Sequence, residues 1–197
     1  KDKLTTHDHS KPSSIINLSS EKVQEIPKQA DYVIVGAGPA GVAAAKAIRE
    51  NDKRASIVMI GDEGMPIVDR PKYSKSLQSS SSNVDINKVA NHYTGRVSNV
   101  EEQADQSVNI ILEDGRRVTA TKGVLIATGV QPDLRHLPII PEAVSPQCMT
   151  LRSSADFEHM LERLKEAESV AIYGDGYVAC ELSATIKKTF PLKTVHI

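Results

Sequence analysis

A glycine-rich segment between a short apolar run and an alanine-rich stretch constrains this chain more than any other feature. The run Tyr32–Val35 ends in the spacing Gly36-x-Gly38-x-x-Gly41, and good helix formers fill positions 42–49. Gly36 permits a tight turn, Gly38 lets the backbone approach a diphosphate, and Gly41 lets the helix pack close to the strand. The pattern predicts a phosphate-binding bend at a helix N-terminus, where free N–H groups and a partial positive charge favour anions.

The next strand of the same unit brings two acids to the same edge. Apolar residues 57–60 predict a buried strand, and Asp62 and Glu63 come just after it. An acid at that place accepts hydrogen bonds from a ribose in dinucleotide-binding folds. Strand, bend, helix, strand and acid together predict a bound dinucleotide. The alternative is a glycine-rich loop that binds no ligand.

A second glycine-rich bend occurs late in the chain. Residues 170–173 predict a strand, Gly174-x-Gly176-x-x-Ala179 predicts a bend and a helix start, and a further strand is expected from Lys193. The carboxylate of Asp175, between the two glycines, could repel a diphosphate. The two bends lie too far apart for a short tandem repeat, so two related nucleotide-binding units explain the spacing better.

Composition limits the other classes of function. Hydrophobic residues make up 40% and charged residues 25% of the 197 positions, and the net charge of -1 gives no basic field for nucleic acid or membrane. Cys148 and Cys180 form no Cys-x-x-Cys pair, which argues against a disulfide scaffold and favours buried, reduced thiols. His7 and His9 lack a third fixed ligand, so no metal site is predicted.

The chain is expected to contain an arm and two domains. Residues 1–30 predict a disordered arm or linker, 31–145 a first nucleotide-binding domain, and 146–197 the start of a second, truncated nucleotide-binding domain. The serine run in the first domain predicts a flexible insert over 79–93.

Two further strand signals lie in the first domain. Residues 108–112 and 117–120 face each other across Asp114-Gly115, which predicts a hairpin with both turn residues at positive φ. Residues 122–129 predict another buried strand.

A group of three cations follows the first unit closely, in Arg70-Pro71-Lys72-Tyr73-Ser74-Lys75. Two dinucleotide units in one chain suggest a hydride relay from a nicotinamide to a flavin. A lysine near the flavin ring would stabilise the negative charge that develops there. Ordinary solvated surface charge is the alternative interpretation.

Five motifs in a fixed order resemble the pyridine-nucleotide-dependent flavoprotein reductases: VIVGAGPAGVAAAK, RPKYSK, LIATG, LRSSADF and IYGDGYVACEL, between Asp31 and Ile197. Within that superfamily the segment Leu151–Phe157 is most similar to the apoptosis-inducing-factor group, which are mitochondrial flavoproteins. The resemblance implies an α/β fold: an FAD-binding Rossmann-like (glutathione-reductase-like) domain followed by a truncated NAD-binding Rossmann-like domain.

The resemblance also implies which residues bind FAD. The diphosphate would lie on the first bend, the ribose on the acids, the flavin side near two cations, and the adenine on a backbone segment. In that order the residues are Gly36, Ala37, Gly38, Pro39, Ala40 and Gly41; Asp62 and Glu63; Arg70 and Lys75; and Val97, with Thr128 and Gly129 passing near the cofactor.

The second bend would bind NADH, by the same resemblance. The residues implied are Asp175, Gly176, Tyr177 and Val178, with Tyr177 as an aromatic gate over the flavin. Glu181 would pair with Lys75 beside the isoalloxazine as the catalytic pair.

The resemblance implies two functions as expectations, and two alternatives remain beside them. The first is an FAD-dependent NADH oxidoreductase of the mitochondrial intermembrane space. A second role would be cell-death signalling in the nucleus, with a nuclease partner, DNA and a homodimer of the reduced full-length protein. The alternatives are a ferredoxin-reductase-like electron-transfer flavoprotein, or an incomplete fragment that does not bind the cofactors tightly. Two departures from the family pattern are Asp175 in place of a glycine and the short, serine-rich stretch 78–93.

Overall fold

The structure of the first unit is a six-stranded sheet with its connecting helices. A computed structural model describes residues 24–63, 70–77, 86–133 and 147–197. The elements of this unit are β1 Gln29–Val35, α1 Pro39–Asn51, β2 Ile57–Gly61, α2 Lys72–Lys75, a 3-10 turn Ile86–Lys88, β3 Asn91–Thr94, β4 Val97–Glu102, β5 Val108–Leu112 and β6 Arg117–Ile126.

The order of the strands creates a crevice at one edge of the sheet. The order is β3-β2-β1-β6-β5-β4; β1 runs parallel to both β2 and β6, and β5 and β4 are antiparallel additions. The chain leaves β1 toward β2 on one side, while β6 lies on the other. Ligands of open α/β sheets bind at such a switch point, outside the carboxyl ends of the strands.

Alternation along the central strands divides the core into two faces. Val33 and Val35 pack on one face with Ile110 and Leu112, whereas Ile34 packs on the other face with α1. Successive side chains of a strand point to opposite faces, so an uninterrupted apolar run is buried on both. This explains why all five residues of β2 are buried, and why β1 holds the bend that follows it in a fixed position.

The long strand β6 differs from the sequence prediction. Its first half pairs with β5, as the hairpin prediction required, and its second half continues beside β1, so 117–120 and 122–126 form one strand. The second half is not uniformly buried, because Leu125 and Ile126 are 40% and 57% exposed. Of the turn residues only Gly115 has positive φ, at 85°. Asp114 instead accepts hydrogen bonds from the backbone and side chain of Arg116, which stabilises a longer loop.

The flexible insert expected over 79–93 is wrong in its second half. Residues 86–93 form the 3-10 turn and most of β3, which pairs with β2, and Ile86 is fully buried. The polar sequence of β3 does not predict a strand, and the strand is stabilised by its pairing with β2. Residues 79–85 lie outside the described part of the chain. So do residues 1–23, and of the predicted arm Gln29 and Ala30 belong to β1.

The second unit is a smaller β-α-β arrangement preceded by a helix. Its elements are α3 Ser154–Glu166, β7 Ser169–Ala171, α4 Tyr177–Thr189 and β8 Thr194–His196. Ser153 caps α3: its hydroxyl accepts from the backbone of Asp156, whose carboxylate accepts from the backbone of Ser153. This capping box satisfies two N–H groups that the helix itself leaves without partners. β7 and β8 are parallel neighbours on either side of α4 in sequence.

An apolar cluster joins the two units through the short helix α2. The ring of Tyr73 stacks on Phe157 of α3 with centroids 4.7 Å apart. Met160, Leu164, Leu182 and Ile186 complete the buried cluster from α3 and α4. The four-residue α2, too short to be stable alone, is therefore fixed by the second unit.

Three remaining expectations concern cysteines, membranes and metals. Cys148 and Cys180 are exposed, which corrects the prediction of buried thiols. The buried face of α4 is formed by Ala179, Leu182 and Ile186, and Cys180 does not belong to it. Among the described residues, no helix combines the length and the apolar character that crossing a membrane requires. No group of three potential metal ligands occurs in those same ranges, and His7 and His9 lie outside them.

Candidate functional site

The bend after β1 is built from backbone segments in close contact. Gly36 has φ 113°, and a Cβ there would lie 2.1 Å from the carbonyl oxygen of Ala127. A Cβ on Gly41 would lie 2.1 Å from the carbonyl oxygen of Gly36. Both positions therefore require glycine. Gly38 is the N-cap of α1 without a side-chain cap, and Pro39 follows it, so the first-turn N–H groups remain available to an anion.

A cavity of about 400 Å³ opens at this bend, between the carboxyl ends of β1, β2 and β6. That volume is in the range of small-molecule and cofactor sites. Nine of the residues implied for FAD line it: Gly36, Ala37, Gly38, Asp62, Glu63, Arg70, Val97, Thr128 and Gly129. Pro39, Ala40, Gly41 and Lys75 do not line it.

The two acids expected to bind a ribose each contact an arginine. Arg96 Nη2 lies 3.0 Å from Asp62 Oδ2, and this hydrogen bond raises the pKa of Arg96. Arg70 Nη2 lies 2.6 Å from Glu63 Oε1. Arg70 also covers the bend, since a Cβ on Gly38 would lie 2.7 Å from Arg70 Nη1. A guanidinium beside helix N–H groups is suited to an anionic ligand.

Arg152 was missed as a site residue in the sequence. It lies just before α3, far from the bend in sequence, yet it lines the cavity. Its Nε donates to the carbonyl oxygen of Val130 at 2.7 Å, and its Nη1 is buried with no hydrogen-bond partner among the described residues. A buried guanidinium N–H without an acceptor is costly, which fits an anionic group such as a diphosphate in the cavity. The only sequence signal was its place in the motif LRSSADF.

A second polar group lies where α2 meets α4. Lys75 Nζ is 2.9 Å from Glu181 Oε2, and the hydroxyl of Ser74 donates to the same oxygen at 2.6 Å. Two hydrogen bonds lower the pKa of the Glu181 carboxyl: the one from Ser74 has the larger effect and the one from Lys75 the smaller. The structure thus brings together the two residues expected to form the catalytic pair, although their position relative to a flavin stays a prediction.

The second bend has the same backbone conformation in more open surroundings. Gly174 has φ 133°, and Gly176 caps α4 without a side-chain hydrogen bond. A Cβ on either glycine would meet no atom within 4 Å. Tyr177 and Val178 are 91% and 58% exposed. The residues implied for NADH therefore stand on an open helix start, and their role stays a prediction.

A switch point that carries a phosphate-binding bend, beside a second β-α-β unit, is the architecture of flavoprotein reductases that bind two nucleotides. More specifically, the chain belongs to the pyridine nucleotide-disulphide oxidoreductase family, whose sequence profile matches residues 30–196. The expected α/β fold class is thereby confirmed, and the expected cofactor class, FAD with NAD(P)H, and oxidoreductase class agree with this family.

Individual relatives come from two groups. Apoptosis-inducing factor 1, mitochondrial, of Dictyostelium discoideum is 27% identical over 194 residues, which cover 86% of this chain and 36% of that protein. The ferredoxin–NAD(+) reductase component of the anthranilate 1,2-dioxygenase system of Burkholderia cepacia is 30% identical over 168 residues, 80% of this chain and 40% of that protein.

A solved structure supports the fold. The reductase of a covalent putidaredoxin reductase–putidaredoxin complex is similar with a TM-score of 0.67 at 25% identity, over 84% of this chain and 41% of that chain. The chain thus spans about two fifths or less of the length of these relatives. They support the superfamily, and they support the apoptosis-inducing-factor and ferredoxin-reductase groups about equally.

Proposed function

We propose that this chain is the FAD-binding part, and the start of the nicotinamide-binding part, of an NAD(P)H-dependent flavoprotein oxidoreductase. The observation that carries the proposal is the bend at Gly36–Gly41, which opens into a cavity lined by Arg70 and Arg152 at the switch point of the sheet. The first domain would extend over 31–145 and the second from 146.

The residues of the cavity suit the separate parts of FAD. Backbone N–H groups at the start of α1 would bind the diphosphate, with Arg152 Nη1 supplying the donor that now has no acceptor. Asp62 would exchange its contact with Arg96 for the ribose hydroxyls. The backbone of Val97 would contact the adenine, and Thr128 with Gly129 would flank the cofactor. The bound flavin would supply the hydride acceptor.

The second bend suits the reducing nucleotide. The N-terminus of α4 would bind its diphosphate through Asp175–Val178, and Tyr177, almost fully exposed here, would close over the flavin. Glu181 lies on α4, one helical turn after Tyr177, and Lys75 lies on α2. Their charges would face the place where the two cofactors meet.

A substitution at Gly38 should weaken cofactor binding without preventing folding. Gly38 has φ -77°, an ordinary value, and the described atoms within 4 Å of a Cβ there belong to the Arg70 guanidinium, so a side chain and no backbone has to shift. We expect Gly38→Ala in the full-length protein to fold normally but to bind FAD about tenfold or more weakly, because its methyl group enters the path of the diphosphate. Flavin absorbance after gel filtration and FAD titration measure this.

The matched control is the equivalent glycine of the second bend. Gly176 caps α4 with φ -79° and ψ 176°, nearly the values of Gly38, and a Cβ there meets nothing. Gly176→Ala should retain FAD. If Gly38→Ala kept its flavin at parental affinity, or if the parent protein refused FAD, the proposal would fail.

The relatives support two finer roles. In the first, the protein is an NADH oxidoreductase of the mitochondrial intermembrane space that also acts in nuclear cell death, with DNA, a nuclease and a homodimeric reduced form. The name of the Dictyostelium discoideum relative supports the mitochondrial location and the link to apoptosis. In the second, it transfers electrons to a ferredoxin, as the Burkholderia cepacia relative is named to do. Turnover with added ferredoxin favours the second role; salt-sensitive DNA retention favours the first.

A further inference from the structure

Lys75 and Glu181 are not held together by their charges alone. Their side chains are 57% and 36% exposed. An ion pair in such surroundings contributes little to stability, because solvent screens the attraction and two long side chains lose rotational freedom. A pair that must keep one geometry needs another constraint.

Ser74 provides a rigid contact to the same carboxylate. It is only 4% exposed, and its hydroxyl lies 2.6 Å from Glu181 Oε2 but 3.5 Å from the carbonyl oxygen of Pro71. A hydroxyl has one hydrogen, and a charged acceptor at the shorter distance takes it. Glu181 Oε2 therefore accepts from a buried hydroxyl and from Lys75 at once.

Thr185 fixes the segment that carries Ser74. Its hydroxyl lies 2.8 Å from the carbonyl oxygen of Ser74 and 2.8 Å from that of Glu181, one turn earlier on α4. The single hydrogen of this hydroxyl is shared between the two carbonyl groups. Stacking of Tyr73 on Phe157 fixes the other side of α2. The carboxylate is thus set by contacts across the junction of the two units.

We propose that Ser74 is a positioning residue, which together with Thr185 holds the Glu181 carboxylate and so orients Lys75 for hydride transfer between the two nucleotides. This inference rests on the proposed function and names a residue that acts through Glu181. Ser74 has no contact with the cavity and does not itself need to touch a cofactor.

The main test removes the hydroxyl of Ser74 in the full-length holoprotein. We expect Ser74→Ala to slow flavin reduction by NADH about five- to tenfold at saturating NADH, with little change in the NADH concentration for half-saturation. The pKa of the Glu181 carboxyl should also rise, because the carboxylate loses the hydrogen bond from Ser74 that stabilises its charged form. Isotope-edited infrared spectra of glutamate-labelled protein follow this, with Glu181→Gln assigning the band.

A second pair of variants tests the contact from α4. Thr185→Val removes the hydroxyl at nearly constant volume and should give a smaller loss of rate in the same direction, whereas Thr185→Ser keeps the hydroxyl and should restore the parental rate. Ser183→Ala and Thr189→Val are matched controls. Their hydroxyls bond only carbonyl groups within α4, away from α2, so both should behave as the parent.

The outcomes distinguish this inference from the proposed function. If Glu181→Gln and Lys75→Ala slow flavin reduction while Ser74→Ala changes neither the rate nor the titration of Glu181, the positioning role is wrong and the oxidoreductase stands. Unchanged rates in Lys75→Ala and Glu181→Gln would overturn the positioning role together with the catalytic pair. The effect of Gly38→Ala on FAD affinity tests the rest of the proposed function independently.

Discussion

The two glycine-rich bends of this chain share a backbone conformation but differ in their surroundings. The first glycine of each has a positive φ, 113° at Gly36 and 133° at Gly174, and the second glycine of each caps a helix. Around Gly36 the chain is so close that a Cβ would overlap Ala127; around Gly174 there is no atom to meet. The motif thus specifies a bend, whereas the elements packed around it determine whether a cavity forms.

The two bends also differ in the residue at the third position of the motif. Gly41 lies against the carbonyl oxygen of Gly36, while the second motif has Ala179 at the same place, 7% exposed. A helix that follows glycine can approach its strand more closely than one that follows alanine.

Exchanging these two residues gives the largest expected effect. Gly41→Ala places a methyl group 2.1 Å from a backbone oxygen that cannot move without shifting β1. We expect the free energy of unfolding to fall by about 3 kcal/mol or more. Ala179→Gly should cost only about 1 kcal/mol, the difference in helix propensity plus a small loss of packing. Urea unfolding of the full-length protein measures both. Equal losses would show that the two units pack their helices alike.

The sequence was sufficient for the bends because their conformation depends on local residues. Gly36 adopts a positive φ that favours glycine, and Gly41 is needed because the carbonyl oxygen of Gly36, in the same short segment, lies against it. β1 and β2 follow from uninterrupted apolar runs. The hairpin before β6 was found for the same reason, although Asp114 adopts negative φ and bonds Arg116 instead.

Features that depend on distant partners were not predictable. β3 has the polar sequence Asn91–Thr94 and is a strand only because β2 pairs with it. Arg152 lies next to the first bend only because α3 packs on α2 through Phe157. A single sequence does not show which distant segments lie side by side. Arg152 was therefore missed, whereas the cavity residues close to the first bend in sequence were predicted.

Arg152 links the two regions, because it comes from the second unit but lines the cavity of the first. Arg152→Met keeps most of the apolar stem and removes the guanidinium, including the buried Nη1 without a partner. We expect FAD to bind about tenfold more weakly, the loss of one charge-assisted hydrogen bond. The stability of the cofactor-free protein should change little, because the lost bond from Nε to the carbonyl oxygen of Val130 is offset by removal of the unpaired Nη1.

FAD titration and thermal unfolding without cofactor measure these two effects. Arg117→Met, at an exposed position of β6, is the matched control and should change neither quantity appreciably. Undiminished FAD affinity in Arg152→Met would mean that the first bend binds its ligand without help from the second unit.

The smallest expected effect compares two histidines, one on an edge strand of each sheet. His92 of β3 is 8% exposed with Nε2 lacking a hydrogen-bond partner among the described residues, whereas His196 of β8 is exposed. Burial lowers the pKa of His92 below its usual 6.5. The folded state therefore binds this proton more weakly than the unfolded state does.

The sign of the pH dependence follows from that difference. Above pH 6.5 the imidazole is neutral in both states and the contribution to stability is fully present; as the pH falls below 6.5 the unfolded state takes up the proton first, so stability is lost until His92 itself is protonated. His92→Phe, of similar shape, should flatten this decline in unfolding measured from neutral to mildly acidic pH. His196→Phe, at an exposed position of β8, is the matched control and should retain the decline. An unchanged decline in His92→Phe would assign the acid sensitivity to titratable groups other than His92.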